Sequence, residues 1–263
     1  MYETFYHRAN SVADATSKIG EEGKYLAGGQ TLLPTMKQRL AAPDALVDLT
    51  HIGDLKGITV NGKDVRIGAM TTHAEVNSDS ALRSACHSIC ELAGMIGDPA
   101  VRHCGTIGGS IANNDPAADY PAAMLALDAT IHTNSREISA DDFFTGMFET
   151  ALNDGEIVTA VSFTAPDKCA YEKFRNPASR YAMAGVFVAD HGGDVRVGVT
   201  GAYSNGATRN SDMESVLSRS FSADALDDAS VDAGDMLSDI HGSAEYRAHL
   251  VKVMAQRAVA AAG

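Results

Sequence analysis

The sequence has no tryptophan, only seven prolines and four cysteines among 263 residues, and an aromatic content of 6%. Cys86, Cys90, Cys104 and Cys169 form no CxxC pair and lack the dense spacing of a secreted disulfide scaffold, so a reducing compartment is expected. His87 lies between two of them and His103 precedes a third, but zinc and iron–sulfur ligands follow more regular spacings, and small thiols inside apolar helices are commonplace. Positive charge is scarce. With 21 Lys and Arg against 34 Asp and Glu the formal net charge is -13, a field that repels phosphate and argues against nonspecific binding to nucleic acid or anionic membranes. No apolar run reaches membrane-spanning length, and "MYETFYHRANSVADATSKIG" lacks the basic start and apolar block of a signal peptide. The chain reads as soluble and cytoplasmic.

What is there is enough for a core, at 45% hydrophobic residues, and a moderately rich supply of 24 glycines. The pattern is mixed. Val12 to Ile19 reads as a short helix capped by Asn10 or Ser11, "KYLAGG" as a brief strand, and Thr31 to Leu40 as a helix with Pro34 tolerated in its first turn. "ALVDLT" and "GITVNGKDVRIGAM" alternate as strands, the second folded at a two-residue hairpin turn in "NGKD". Apolar residues at 82, 85, 86, 89, 92, 93 and 96 predict one helix from Ser80 to Ile96, stopped by Gly97 and Pro99; another is predicted from Pro121 to Leu127. A strand, a turn and a strand-like return follow, then "EIVTAVSFTAP" as a further strand and a joint at Pro166 to Lys168. Beyond it come three strands, the last two joined at "GGD", and alanine-rich helical material is expected over the last forty residues. The division expected is 1–165, with lobes of about 1–55 and 56–165, and 166–263.

Two glycine pairs are the chemical signal. "KYLAGGQTLLPTMKQRL" interrupts a strand-like run at Gly28 and Gly29; "RHCGTIGGSIANNDPAADYPAAML" repeats the device at Gly108 and Gly109 between Thr106 and Ser110. Paired glycines let backbone N–H groups converge on an anion without Cβ interference, and hydroxyls and a helix N-terminus add to the field. A pyrophosphate is the natural occupant, with Asp115 and Asp119 placed for ribose hydroxyls. Neither pair has the GxGxxG of a Rossmann site or the GxxxxGK[ST] of a P-loop, so another dinucleotide fold is implied. Lys37 reads as a solvated helix face or as a cofactor contact.

These residues resemble a known family. "AGGQTLLPTMKQRL" and "TIGGSIANNDPAADYPA" are similar to the two flavin-binding signatures of the medium, FAD-carrying subunit of molybdenum hydroxylases, the carbon monoxide dehydrogenase and xanthine dehydrogenase relatives, and "YEKFRNPASRYAMAGVFVA" is similar to its third. The resemblance implies an α+β chain: a vanillyl-alcohol-oxidase-type FAD-binding domain, then a three-stranded sheet with a helix bundle. Carried over, Ala27, Gly28, Gly29, Gln30 and Thr31 form one pyrophosphate loop and Thr106, Ile107, Gly108, Gly109 and Ser110 the other. Asp119 matches the acid that helps hold the nucleotide part of FAD. Ile96 and Val158 fall where apolar residues pack on the cofactor, and Lys173 where a lysine reaches toward the flavin end. Ser110 replaces the usual asparagine, His103 stands where asparagine is common, and the chain is short for this subunit, which implies a trimmed C-terminal bundle.

No carboxylate pair, triad or metal cluster offers substrate chemistry, and His73 in "GAMTTHAEV" reads as structural. The resemblance therefore implies electron transfer: FAD on this chain, [2Fe-2S] clusters on a small subunit, a molybdopterin-type cofactor on a large subunit, and a dimer of heterotrimers, with carbon monoxide, a purine, an aldehyde or an N-heterocycle as substrate. A stand-alone flavin oxidase or reductase would need a general base, for which there is no candidate. A flavin-free assembly protein would not need the glycines. Tyr171, Phe174 and Tyr181 all fall in the segment expected to approach the flavin.

Overall fold

The computed structural model describes residues 1–263. The first lobe runs β1 (Phe5–Arg8), α1 (Val12–Lys18), β2 (Lys24–Leu26), α2 (Leu32–Lys37) and β3 (Ala45–Asp48). Its strands are parallel in the order β1-β3-β2, so each connection crosses over through a helix or a long loop. Ser11 caps α1 by accepting from the Asp14 N–H. Helix α2 ends earlier than its apolar spacing suggests, because Arg39 turns into the left-handed region at φ 63°. A small core of Ala15, Val47, Ile52 and Leu55 closes the lobe against Met70 and Ile157 of the next.

The second lobe begins with the hairpin β4 (Ile58–Asn61) and β5 (Asp64–Gly68), turned at Gly62 with φ 63°. Helices α3 (His73–Ser78), α4 (Ser80–Ala85), α5 (His87–Gly94), α6 (Pro99–Cys104), α7 (Ile107–Asn113) and α8 (Tyr120–Ala126) follow. The chain then forms β6 (Thr130–Thr133), β7 (Glu137–Ser139), α9 (Ala140–Phe143), β8 (Phe144–Gly146), β9 (Glu149–Thr150) and β10 (Val158–Thr164). The main sheet is antiparallel in the order β4-β5-β10-β6-β7.

The helix expected over Ser80 to Ile96 is two helices. Cys86, at φ −150° and ψ 81°, breaks it, while Asp79 caps α4 through the Leu82 N–H. The apolar stripe survives the break because both pieces bury the same side, with Leu82, Cys86, Ile89 and Leu92 in one core. Helix α6 was hidden in the sequence by its length; Asp98 caps it and Pro99 opens it.

The C-terminal part adds β11 (Lys168–Arg175), β12 (Ala182–Asp190), β13 (Val195–Thr200) and β14 (Thr208–Arg209), all antiparallel in chain order. The three expected strands thus carry a two-residue fourth. Helices α10 (Ser211–Arg219) and α11 (Ala244–Ala262) cover one face, where Val186, Val197, Val251 and Met254 share a core. Of the last forty residues only α11 is α-helical; the stretch before it holds 3-10 turns at Asp224–Asp228 and Ala233–Asp235, because its serines, aspartates and glycines bond their own backbone instead. The other face of the sheet meets the second lobe: Cys169, Tyr171, Phe187 and Ala189 belong to that lobe's core. No helix is long and apolar enough to cross a membrane.

Candidate functional site

One cleft of about 840 Å³ is walled by both lobes and by β11 and the loop that follows it. The β2–α2 loop supplies one wall. Gly29 sits at φ 68°, a conformation that glycine adopts without strain. A Cβ on Gly28 would lie 2.1 Å from the Cys104 carbonyl oxygen, so this loop rests backbone to backbone on the α6–α7 junction. The backbone N–H groups from Ala27 through Leu32 donate to no protein acceptor. Consecutive free donors in a loop entering a helix form a nest for an anion.

The second glycine pair works differently from the first. It is not a loop but the first turn of α7, capped by Thr106, and its donors are spent: Ile107 N–H goes to the Thr71 carbonyl at 3.1 Å, Gly108 to Ala69 at 2.8 Å and Gly109 to Thr106 Oγ1 at 3.1 Å. The expected second nest is therefore absent, because this helix end is docked on the segment after β5. Gly108 permits that docking, since its Cβ would lie 2.5 Å from that of Ala69. What α7 offers the cleft instead is the surface of Gly109, facing Ala27, together with the side chains of Ser110 and Asn113, which have no protein hydrogen-bond partner.

Ala27, Gly28, Gly29, Gln30, Thr31, Ile96, Thr106, Gly108, Gly109, Ser110, Asp119, Val158 and Lys173 all line this cleft. Ile107 does not: its side chain is fully buried in the core and its N–H is taken by Thr71. Lys37 is exposed and lies outside the cleft lining.

Asp119 and Lys173 cannot mark opposite ends of a dinucleotide, because they are bonded to one another. Lys173 Nζ lies 2.9 Å from Asp119 Oδ2, with side chains 1% and 6% exposed, and also reaches the Met95 carbonyl at 3.4 Å. The Tyr171 hydroxyl donates to the other carboxylate oxygen. Burial raises the Asp119 carboxyl above its ordinary value, against the downward pull of the Lys173 ammonium and the Tyr171 hydroxyl. Burial likewise lifts the Tyr171 phenol well above its ordinary value, helped by the carboxylate it faces. The three tyrosine and phenylalanine candidates separate clearly. Tyr171 is locked in this cluster, Phe174 packs edge-on against Tyr246, and Tyr181 lines the cleft at 52% exposure.

His73 also lines the cleft, which the sequence did not signal beyond its place in "TTHAEV". Its Nδ1 is buried without a partner, and burial, with the nearby Arg102 cation, holds its pKa down to about 4. The ring is therefore neutral near pH 7, 5.4 Å from that of Tyr120. The cleft as built joins an anion nest, an apolar wall at Ile96 and Val158, and one buried ion pair, a composition suited to a cofactor with a charged middle and apolar ring.

The chain has relatives across its length. The medium chain of carbon monoxide dehydrogenase from Afipia carboxidovorans is 39% identical, covering 97% of this chain and 94% of that one. The medium subunit of nicotine 6-hydroxylase from Paenarthrobacter nicotinovorans is 36% identical, covering 98% and 96%. Among solved structures, a cyanide-inactivated Cu,Mo-CO dehydrogenase matches with a TM-score of 0.89 at 38% identity, covering all of this chain and 98% of that one. The family model for the FAD binding domain in molybdopterin dehydrogenase matches residues 1–166. With its glycine-built nest and cleft, this chain belongs to that family.

Proposed function

We propose that this chain is the FAD-carrying electron-transfer subunit of a multi-subunit molybdenum hydroxylase, taking electrons from [2Fe-2S] clusters on a small subunit and passing them to an external acceptor. The observation that carries this reading is the run of unpaired N–H groups from Ala27 to Leu32 at the edge of a cleft walled by three parts of the chain. These donors fit a pyrophosphate. In the proposal Ala27, Gly28, Gly29, Gln30 and Thr31 hold it from the β2–α2 loop, and Thr106, Gly109 and Ser110 face it from α7. Ile96 and Val158 supply apolar contact, and the Asp119–Lys173 pair presents one polar end of the cleft. When bound, FAD supplies the redox chemistry, in which one-electron and two-electron carriers can be joined. The protein's part is to position it and to set its surroundings.

Substrate oxidation is assigned to a molybdopterin-type centre on a large subunit, in a cytoplasmic dimer of heterotrimers. Relatives named for carbon monoxide and for nicotine match this chain at nearly equal identity, which supports placing substrate choice on another subunit. The test is purification from the native host. Flavin absorbance with two co-purifying chains that bring iron and molybdenum supports the assignment. A yellow protein that remains alone and turns over an organic substrate would replace it with a stand-alone oxidase.

A further inference from the structure

Three of the four cysteines are buried, and two of these meet. Cys86 Sγ and Cys169 Sγ are 3.6 Å apart, at 2% and 6% exposure, although 83 residues separate them. Cys86 occupies the break between α4 and α5, where its side chain makes no capping hydrogen bond to α5. Cys169 lies on β11, on the face that looks into the second lobe. Ser88 stands beside the pair: its hydroxyl donates to the Cys169 carbonyl at 2.7 Å and receives the Cys169 thiol at 3.4 Å.

We propose that Cys86 and Cys169 are a reversible dithiol–disulfide site, closed by hydroperoxides and opened by thiol reductants. The two sulfurs have different roles. The contact with Cys86 draws the Cys169 pKa down, whereas that same contact and burial raise the Cys86 thiol well above the ordinary value. In the proposal Cys169, whose sulfur contacts both Cys86 Sγ and Ser88 Oγ, is oxidised first. Its sulfur takes one oxygen of hydrogen peroxide, the O–O bond breaks, and hydroxide leaves to become water with the proton Cys169 gave up. Cys86 sulfur then displaces the hydroxyl from the Cys169 sulfenic acid, the S–S bond forms, and the second water carries away the Cys86 proton. Two thiols and one peroxide become one disulfide and two waters, and the dithiol has lost two electrons. Cys90, one turn along α5, is buried as well, but the sulfur in contact with Cys169 is that of Cys86.

The cross-link would brace a wall of the cleft. Two and four residues after Cys169 on the same strand face come Tyr171 and Lys173, and α5 leads directly to Met95, whose carbonyl receives Lys173. Oxidation therefore ties together the two segments that hold the buried ion pair.

The experiment uses the full chain carrying Cys104→Ser, which removes the one exposed thiol. Under native conditions the protein is treated with stoichiometric hydrogen peroxide, quenched, unfolded and titrated for free thiol. The expected result is loss of two of the three remaining thiols, recovery with dithiothreitol, a peptide joining Cys86 to Cys169, and a raised thermal midpoint for the oxidised form. Cys86→Ala and Cys169→Ala should each abolish the joined peptide and the rise in midpoint. Three persistent thiols at peroxide levels that oxidise free cysteine would overturn the proposal. So would a Cys86–Cys90 link, or sulfinic acid at Cys169 with Cys86 still free.

Discussion

Replacing Lys173 by methionine keeps most of the side chain's length and removes its charge, leaving the buried Asp119 carboxylate with the Tyr171 hydroxyl as its hydrogen-bond donor. Breaking a buried pair from one side costs about 3–5 kcal/mol, far more than the pair contributes over a well-packed apolar substitute. For a chain of this size that is a fall in the thermal midpoint on the order of 10 °C. The loss should depend on pH in a defined direction. Burial already raises the Asp119 carboxyl, and removing Lys173 removes the largest opposing influence, so the folded pKa rises further above the unfolded one. A group shifted upward gives its stability below the unfolded value, about 3.9 for aspartate, and loses it as pH climbs through the folded value. Lys173→Met should therefore be least harmful below about pH 4 and most harmful near neutrality. Urea unfolding at several pH values measures this. Adding Asp119→Asn should restore most of the loss, because the amide still accepts from Tyr171 and no charge is left behind. The reasoning is refuted if Lys173→Met unfolds within about 0.5 kcal/mol of the parent, or if the double variant is no more stable than the single one.

Thr31→Val and Ser110→Ala delete hydroxyls that line the cleft without a protein partner, so each should weaken FAD binding about tenfold or more at an unchanged unfolding midpoint, as read by flavin titration. Gly28→Ala puts a methyl 2.1 Å from the Cys104 carbonyl oxygen and should cost about 1–3 kcal/mol of stability along with flavin retention, even though it adds nothing to the nest itself. Gly29→Val, whose effect the sequence alone would attribute to occupied phosphate space, instead meets Leu33 at 2.8 Å and forces a β-branched residue to φ 68°; circular dichroism should show the damage before flavin is added. His73, held down to about 4, stabilises the fold above about pH 6.5 and loses that contribution as pH falls toward 4; His73→Gln should flatten this acid limb by up to about 3 kcal/mol in pH-dependent unfolding.

Much of the fold could be read from local signals. The "NGKD" and "GGD" turns sit where their glycines adopt positive φ, and the strands expected on either side of "GGD" are paired at 182–190 and 195–200. What escaped the sequence depended on contacts between distant segments. The break at Cys86 is invisible because both half-helices bury the same stripe, and α6 is too short to establish a period. At the site, the first glycine pair was legible as a nest because its neighbours leave the backbone free. The second carries the same glycine pair, yet Gly109 donates to the Thr106 cap and the Ile107 and Gly108 donors are consumed by Thr71 and Ala69, residues about forty positions away that no local pattern names. The Asp119–Lys173 bond was concealed in the same way: two residues read as separate contacts turned out to be each other's partner.

Helix α8 has a further consequence for anyone seeking a minimal flavin module. All seven of its residues, Tyr120 to Ala126, are buried, and a Cβ on Gly198 of β13 would stand 2.0 Å from the Ala122 carbonyl oxygen. Arg196 of the same strand reaches the Leu125 carbonyl and ion-pairs with Asp128 and Asp141. The stretch that matches the family model ends at residue 166, but the physical unit does not. A fragment cut there would bare to water the apolar face of α8 that β13 covers, so it should be prone to aggregate, and recombination among relatives should exchange α8 and β13 as one piece.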